Sequence, residues 1–580
     1  MHLLAFVFIV CLLIPSTAAE GPILATDAGE FEGKTLEFDG TQIDVFYGVP
    51  FASQPKRFEK PIDPEFVQRR SATVQPKACP QIARHVAYAK MMSEDCLYSN
   101  IFKPRERSPN STGYPLLLFI HGGAYQGGSA MLHSLEYMAE HYTTRGLVYA
   151  PIQYRLGITG FASNGDDEFK GNYGLLDVKQ ALLWFRQNAN SLDIDPSRIT
   201  LFGYSAGASI VGHMVLSKHT RDLFSQAIQM SGSSVNQWSF SNASVQTIKA
   251  VIRHLNCEKH STAEIKQCLQ QLSYDQLHQA VLENEPENIG LNLNPFTPRF
   301  DNDFFDDDLP NLLRSKPIPT LSSLTQNEFL LFVLYEYFNT TFYLRPEERQ
   351  NFGYKEMKEL IANRFITVED FGNNHEEVVE KVMDFYTFKS KSANNSTVDY
   401  VQLYGQFLSD VEIVVSQLLE FQKKAELGWP IYHLLTVYTE NLKRNYKHLN
   451  SDGIHSIQFY FSSLIVESTH ACEFPFLFGV NFLGDTNFTL SDRKFRDALV
   501  DAIVQFTIHG SPNAPGQEKY AQATKMKPFK YTELGTETQI KNSLFEDSVK
   551  FWSEISQQYE FDLIRGTKSQ TSRIHLKVDL

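Results

Sequence analysis

The residues best placed to do chemistry lie in one pentad, Gly203, Tyr204, Ser205, Ala206 and Gly207, a Gly-x-Ser-x-Gly arrangement. Ile199 to Phe202 before it is a short apolar run suited to a strand, and the apolar run after it has helical spacing. Strand, sharp turn and helix are the context that makes such a pentad a nucleophile elbow rather than a chance match in a loop. The glycines remove side chains where the backbone doubles back, so Ser205 is expected in a strained turn with its hydroxyl presented outward. A serine hydroxyl is a weak nucleophile until an imidazole takes its proton, and a carboxylate must fix the tautomer of that imidazole.

In elbow proteins the chain order is serine, acid, histidine. The acid belongs after a late strand, and Glu328, following the Ile318 to Leu324 run in Thr325-Gln326-Asn327-Glu328, meets that requirement. Its rivals are Asp301, Asp303 and Asp306 to Asp308, which read as a solvated acidic turn. The base belongs in a loop after the last core strand. Trp429 to Tyr438 reads as that strand, and His470 follows it after an insertion, with His455 as competitor among 17 histidines. His121-Gly122-Gly123-Ala124 directly follows a buried apolar run. Small residues there let backbone N–H groups approach a developing oxyanion, and the N–H of Ala206 completes the set.

The elements that must position these groups are also visible. Leu36 to Val49 alternates around Asp39-Gly40 as an early antiparallel hairpin. Leu97 to Phe102, Pro115 to His121, Gly146 to Tyr154, Gln226 to Met230, Pro319 to Leu324 and Trp429 to Tyr438 read as strands, several of them continuous apolar runs buried on both faces. Leu175 to Asn188 has helical spacing, and Asn242 to Asn292 is mainly helical. This alternation predicts an α/β fold, a large mostly parallel sheet covered by helices on both faces, with functional residues at the carboxyl ends of the strands. Ser390 to Thr397 and Glu440 to Gly453 read as polar surface insertions. No internal repeat or low-complexity linker divides the chain, so residues 20–560 are expected to form one domain, followed by a tail over 561–580.

A formal net charge of -14 argues against a nucleic-acid partner. Leu3 to Ile14 is a short apolar run followed by Thr17-Ala18-Ala19, the pattern of a signal peptide over residues 1–19. No later run approaches the length of a membrane span. The expected location is therefore secreted or in the lumen of the secretory pathway; Lys577-Val578-Asp579-Leu580 faintly resembles an ER-retrieval tetrapeptide. In such a compartment Cys79 with Cys96, and Cys257 with Cys268, are the natural local pairs, leaving Cys472 as a small buried thiol. Sequons begin at Asn110, Asn242, Asn339, Asn394, Asn395 and Asn487, which makes a glycoprotein the expectation.

Taken in order, the motifs resemble the type-B carboxylesterase and cholinesterase family of α/β-hydrolases, over about Phe46 to Trp552. They are Glu94-Asp95-Cys96-Leu97-Tyr98-Ser99-Asn100-Ile101, Gly171-Asn172-Tyr173-Gly174-Leu175-Leu176-Asp177 and the elbow itself. The resemblance implies a triad of Ser205, Glu328 and His470, an oxyanion hole of Gly123, Ala124 and Ala206, and the same two disulfides. It also implies that Trp238, Phe296 and Tyr204 belong to the substrate pocket. Tyr204 replaces the family's usual glutamate, and the short loop between Cys79 and Cys96 lacks the tryptophan on which choline stacks. The implied activity is cofactor-free hydrolysis of a small carboxylic ester through an acyl-enzyme, carboxylesterase-like rather than cholinesterase-like. The alternative is a binding or adhesion protein on the same scaffold, since some members of this family serve that role after losing the nucleophile.

Overall fold

The structure is a computed structural model that describes residues 21–81, 91–131, 134–284, 294–306, 312–313, 316–334, 342–392, 398–440, 467–480 and 487–568. Its centre is a sheet of twelve strands. In chain order these are β1 (Lys34–Phe38), β2 (Thr41–Pro50), β3 (Tyr98–Pro104), β4 (Tyr114–Ile120), β5 (Val148–Ile152), β6 (Ile194–Tyr204), β7 (Gln226–Met230), β8 (Thr320–Thr325), β9 (Ile431–Thr436), β10 (Gln522–Ala523), β11 (Tyr531–Leu534) and β12 (Thr538–Lys541). They lie in the order β12-β11-β9-β8-β7-β6-β4-β5-β3-β2-β1, and β10 pairs with β9. From β5 through β4, β6, β7, β8 and β9 to β11 every pairing is parallel. The N-terminal hairpin β1–β2, turning at Asp39-Gly40 as its alternation predicts, is antiparallel, and β3 joins it to β5.

Every residue of β4, β5, β7, β8 and β9 is buried, and β4 and β5 accordingly read as continuous apolar runs. Five helices matter for the site: α1 (Tyr173–Gln187), α2 (Ala206–Leu216), α3 (Tyr400–Ser409), α4 (Val415–Glu426) and α5 (Leu490–His509). All eleven residues of α2 are buried, consistent with a helix packed deep against β6 and β7. Between α3 and α4 the chain makes a π-helical turn, Asp410–Val414.

The motif at Gly171–Asp177 is now explained. Asp177 is fully buried and accepts from Nε and Nη2 of Arg155 at 2.8 and 2.6 Å, and from the Arg155 N–H at 3.0 Å. A planar guanidinium met on two atoms by a carboxylate tolerates burial because each charge finds hydrogen bonds as well as its counter-ion. The pair ties the segment after β5 to α1. Gly174 admits no side chain, since a Cβ there would lie 2.6 Å from the Phe161 ring.

Both disulfides, Cys79–Cys96 and Cys257–Cys268, are formed, and Cys472 is a buried free thiol. Asn110, Asn242 and Asn487 are exposed, while Asn339, Asn394 and Asn395 lie outside the described residues. So do the signal-peptide segment, His455, and almost all of the two polar insertions. Residues 561–568, at the start of the expected tail, fold back as a two-stranded hairpin whose Ile564 carbonyl accepts the Gln237 N–H at 3.2 Å. Among the described residues no helix is long and apolar enough to cross a membrane.

Candidate active site

Strand register decides where the chemistry gathers. Ile120 pairs with Gly203, Tyr204 with Met230, Met230 with Ser323, and Thr325 with Thr436. The carboxyl ends of β4, β6, β7, β8 and β9 therefore align along one edge of the sheet. The segments leaving them carry His121–Ala124, Ser205, Ser231, Glu328 and, further on, His470.

Ser205 has φ +56° and ψ -125°, a conformation that a residue with a side chain adopts only when its surroundings force it. The forcing contacts are close. A Cβ at Gly203 would lie 2.1 Å from the Gly207 carbonyl oxygen, one at Gly207 would lie 2.1 Å from that of Ile120, and one at Gly232 would lie 2.3 Å from that of Ser205. The glycines allow β4, the loop after β7 and α2 to close on the elbow from three sides. The Ser205 N–H is held by the Met230 carbonyl at 2.8 Å.

Glu328 is fully buried and accepts from three groups. Its Oε2 lies 2.8 Å from His470 Nδ1, while its Oε1 takes the Ser231 hydroxyl at 2.8 Å and the Thr325 N–H at 2.7 Å. His470 is brought to it by a docked strip of chain. The Asn327 N–H donates to the Ser468 carbonyl, the Gln326 N–H to the Ser468 hydroxyl, and the Leu331 N–H to the Thr469 hydroxyl, at 2.9, 2.9 and 3.0 Å. The imidazole packs between the rings of Tyr204 and Phe332, with centroids 5.1 and 5.5 Å away. Two of the rival acids are engaged elsewhere, and Asp307 and Asp308 lie outside the described residues. Asp301, expected in a solvated turn, is instead buried and accepts the N–H groups of Asp303, Phe304 and Phe305, while Asp303 pairs with Lys60.

Gly123 and Ala124 follow β4 with φ +111° and +54°. Among the described residues no protein acceptor takes the N–H groups of Gly123, Ala124 or Ala206. His121 is not a competing base. Burial lowers its pKa to about 4, its Nδ1 lies 2.8 Å from the Gly122 carbonyl, and its ring stacks on Tyr154. Trp238 and Phe296 are both buried close to this stretch: the Tyr125 ring is 6.2 Å from Trp238, and Gln126 Nε2 donates to the Phe296 carbonyl.

Tyr204 is buried and its hydroxyl accepts the N–H of Ala471, so the neighbour of the serine grips the neighbour of the histidine. Ala471 itself has φ +63°. Tyr204→Phe should leave this buried N–H unpaired and lower stability by about 1–3 kcal/mol. A lower urea midpoint at unchanged slope is the expected reading; an unmoved midpoint would show that the contact contributes nothing.

Several supporting groups escaped the sequence reading. Ser231 holds Glu328, and nothing local marks it. Glu420, on α4, accepts from the Ser233 hydroxyl and from the N–H and hydroxyl of Ser234, and is itself paired with the fully buried Lys424 at 2.6 Å. Gln417 accepts the Gly232 N–H at 2.8 Å. Together these side chains fix the loop that presses on Ser205. Glu473 is a second buried carboxyl near Glu328; burial, and then the Glu328 charge, raise its pKa to about 8, so at neutral pH it is mainly protonated. Among the described residues no group of three or more His, Cys, Asp and Glu side chains is arranged to hold a metal ion.

A sequence model of the carboxylesterase family matches residues 20–552. The chain belongs to this family. Among carboxylesterase-family relatives, Gut esterase 1 of Caenorhabditis elegans is 29% identical over 576 residues, which cover 97% of this chain and 98% of the relative. Gut esterase 1 of Caenorhabditis briggsae is 30% identical over 98% of both chains. Neuroligin-2 of Rattus norvegicus is 26% identical over 92% of this chain and 67% of its own. The mixed twelve-stranded sheet with its surrounding helices is the α/β-hydrolase architecture of the family.

Proposed function

We propose that this carboxylesterase-family protein is a serine hydrolase of carboxylic esters, with Ser205 as nucleophile, His470 as general base and Glu328 as the acid that orients it. The observation that carries the reading is a strained serine at the end of β6 whose chain neighbour Tyr204 packs on the ring of a buried histidine–glutamate pair at 2.8 Å and binds Ala471 beside that histidine.

In the first half-reaction Ser205 Oγ attacks the ester carbonyl while His470 Nε2 takes the hydroxyl proton. The carbonyl π electrons move to oxygen, and the N–H groups of Gly123, Ala124 and Ala206 stabilise that oxyanion; each such donor is worth about 3 kcal/mol. The imidazolium is stabilised by Glu328, whose other oxygen is kept occupied by Ser231 and Thr325. As the tetrahedral species collapses, the C–O bond to the alcohol breaks, and the leaving oxygen takes the proton from His470. In the second half-reaction water repeats the sequence on the acyl-serine, releasing the acid and restoring Ser205. Trp238, Phe296 and Tyr204 form the apolar surroundings of the acyl group, with Tyr204 acting through its grip on Ala471.

The second reading is a binding protein on the same scaffold. The 26% identity to Neuroligin-2 keeps it in view. The presence of Ser205, Glu328 and His470 together favours catalysis. A fluorophosphonate probe is expected to label the folded full chain at Ser205 and to leave Ser205→Ala unlabelled. Folded protein that takes no serine-dependent label would leave only the binding reading.

A further inference from the structure

The π-helical turn Asp410–Val414 holds the least satisfied carboxyl among the described residues. Glu412 is fully buried, and neither of its oxygens has a hydrogen-bond partner there. Buried polar groups are nearly always paired, and an exception calls for a reason. Its neighbours show what pairing on this turn looks like. Asp410 accepts the Tyr386 hydroxyl at 2.9 Å, and the Val411 carbonyl accepts Asn236 Nδ2 at 3.0 Å.

The position of Glu412 is as informative as its isolation. Its backbone carbonyl accepts the indole N–H of Trp238 at 2.5 Å, and Asn236 and Trp238 belong to the same loop as Gly232, which abuts Ser205. At the other end of the turn, the Ser409 hydroxyl accepts the N–H of Phe329, the residue after Glu328, at 2.8 Å. The turn is thus pinned between the Trp238 loop and the Glu328 loop, and its Glu412 carbonyl holds the Trp238 side chain that the hydrolase reading above places around the acyl group. Widening a helix from the α to the π pattern displaces residues from their regular partners and recurs at functional sites. Here the displaced carbonyls of Val411 and Glu412 are taken by Asn236 and Trp238, while the Glu412 side chain is left uncommitted.

We propose that Glu412 is a specificity residue, its carboxyl hydrogen-bonding a hydroxyl carried on the acyl chain of the ester. This rests on the hydrolase reading above and adds a substrate class to it. Burial raises the Glu412 pKa well above the ordinary carboxylate range, which favours the neutral acid. A neutral carboxyl offers one donor and one acceptor, which a hydroxyl matches on both counts. A plain hydrocarbon chain would leave both unmet, and an ammonium group would supply donors only.

The test compares p-nitrophenyl 3-hydroxybutyrate with p-nitrophenyl butyrate on the full chain, for wild type, Glu412→Leu and Glu412→Gln. Wild type should favour the hydroxyacyl ester in kcat/KM, and Glu412→Leu should shift that ratio toward butyrate by about tenfold or more, as expected when a site built to pair a hydroxyl loses its partner. Glu412→Gln, whose amide also donates and accepts, should retain most of the preference. The Tm of Glu412→Leu should equal or exceed that of wild type, because an unpaired buried polar group has been removed. An unchanged ratio in Glu412→Leu overturns the proposal, and so does a lower Tm, which would make the carboxyl a structural group. Failure of wild type to hydrolyse either ester in a Ser205-dependent way is a separate outcome that sinks the hydrolase reading itself.

Discussion

Ser205→Ala is expected to lower kcat on a short-chain p-nitrophenyl ester by about 10⁶-fold, close to what removal of the nucleophile costs in other serine hydrolases. That corresponds to about 8 kcal/mol of transition-state stabilisation. The loss is large because neither of two nearby candidates among the described residues can substitute. His121 is held neutral against its own turn, and the Cys472 thiol is buried with its pKa raised well above the ordinary range by burial, then by Glu473 and Glu328. The turn itself should persist in the variant. The positive φ at residue 205 is imposed by the close approaches at Gly203, Gly207 and Gly232, none of which involves the hydroxyl. Residual hydrolysis above the buffer rate would then reflect the backbone donors alone. Steady-state kinetics on the purified variant, beside a melting curve matching wild type, checks this. A variant retaining more than about a hundredth of wild-type kcat would remove Ser205 from the mechanism, since general acid–base assistance by itself contributes about 10²–10⁴-fold.

Glu328→Gln should cost about 10⁴-fold in kcat with the fold intact, the scale seen when a triad acid becomes an amide. The direction follows from the hydrogen bonds. Oε1 of Glu328 receives two donors, the Ser231 hydroxyl and the Thr325 N–H. A glutamine there must turn its carbonyl oxygen toward Thr325, because an N–H cannot accept from an N–H. Its NH₂ then faces His470 Nδ1, now 2.8 Å from Oε2, and Nδ1 becomes an acceptor. The imidazole proton moves to Nε2, the nitrogen that must be free to deprotonate Ser205. Labelling by a fluorophosphonate should slow in parallel with hydrolysis, whereas a defect in ester binding alone would raise KM and leave kcat. A kcat within about tenfold of wild type would show that His470 does not depend on Glu328 for its tautomer.

How much of this was legible before any coordinates differs from residue to residue. The elbow was readable because its information is local. Two glycines around a serine, between a strand-forming run and a helical one, specify the turn, and the close approaches at Gly203 and Gly207 show why glycine is required there. The buried strands were readable for a related reason. Residues covered on both faces of a sheet are mostly apolar, so β4 and β5 stand out as runs. Glu328 and His470 could be narrowed only by chain order and resemblance, because 142 residues separate them. Their 2.8 Å contact is a property of strand register and of the docked Ser468–Thr469 strip.

Other roles depended on three dimensions altogether. Position 204 marks a departure from the family pattern, yet only the folded chain reveals that the Tyr204 hydroxyl holds Ala471. Asp301 looked like part of a solvated acidic turn until the fold wrapped three backbone N–H groups around it. Nothing in the sequence singled out Glu412, Glu420 or Lys424, because periodicity reports which face is apolar and not what a buried exception meets. The amino-acid sequence by itself determined the local geometry of the nucleophile, the strands that frame it and the membership of the family. The tertiary structure decided which distant acid meets which imidazole and which buried carboxyl is left without a partner. Such pairings depend on contacts across the sheet, between residues that the chain order keeps far apart.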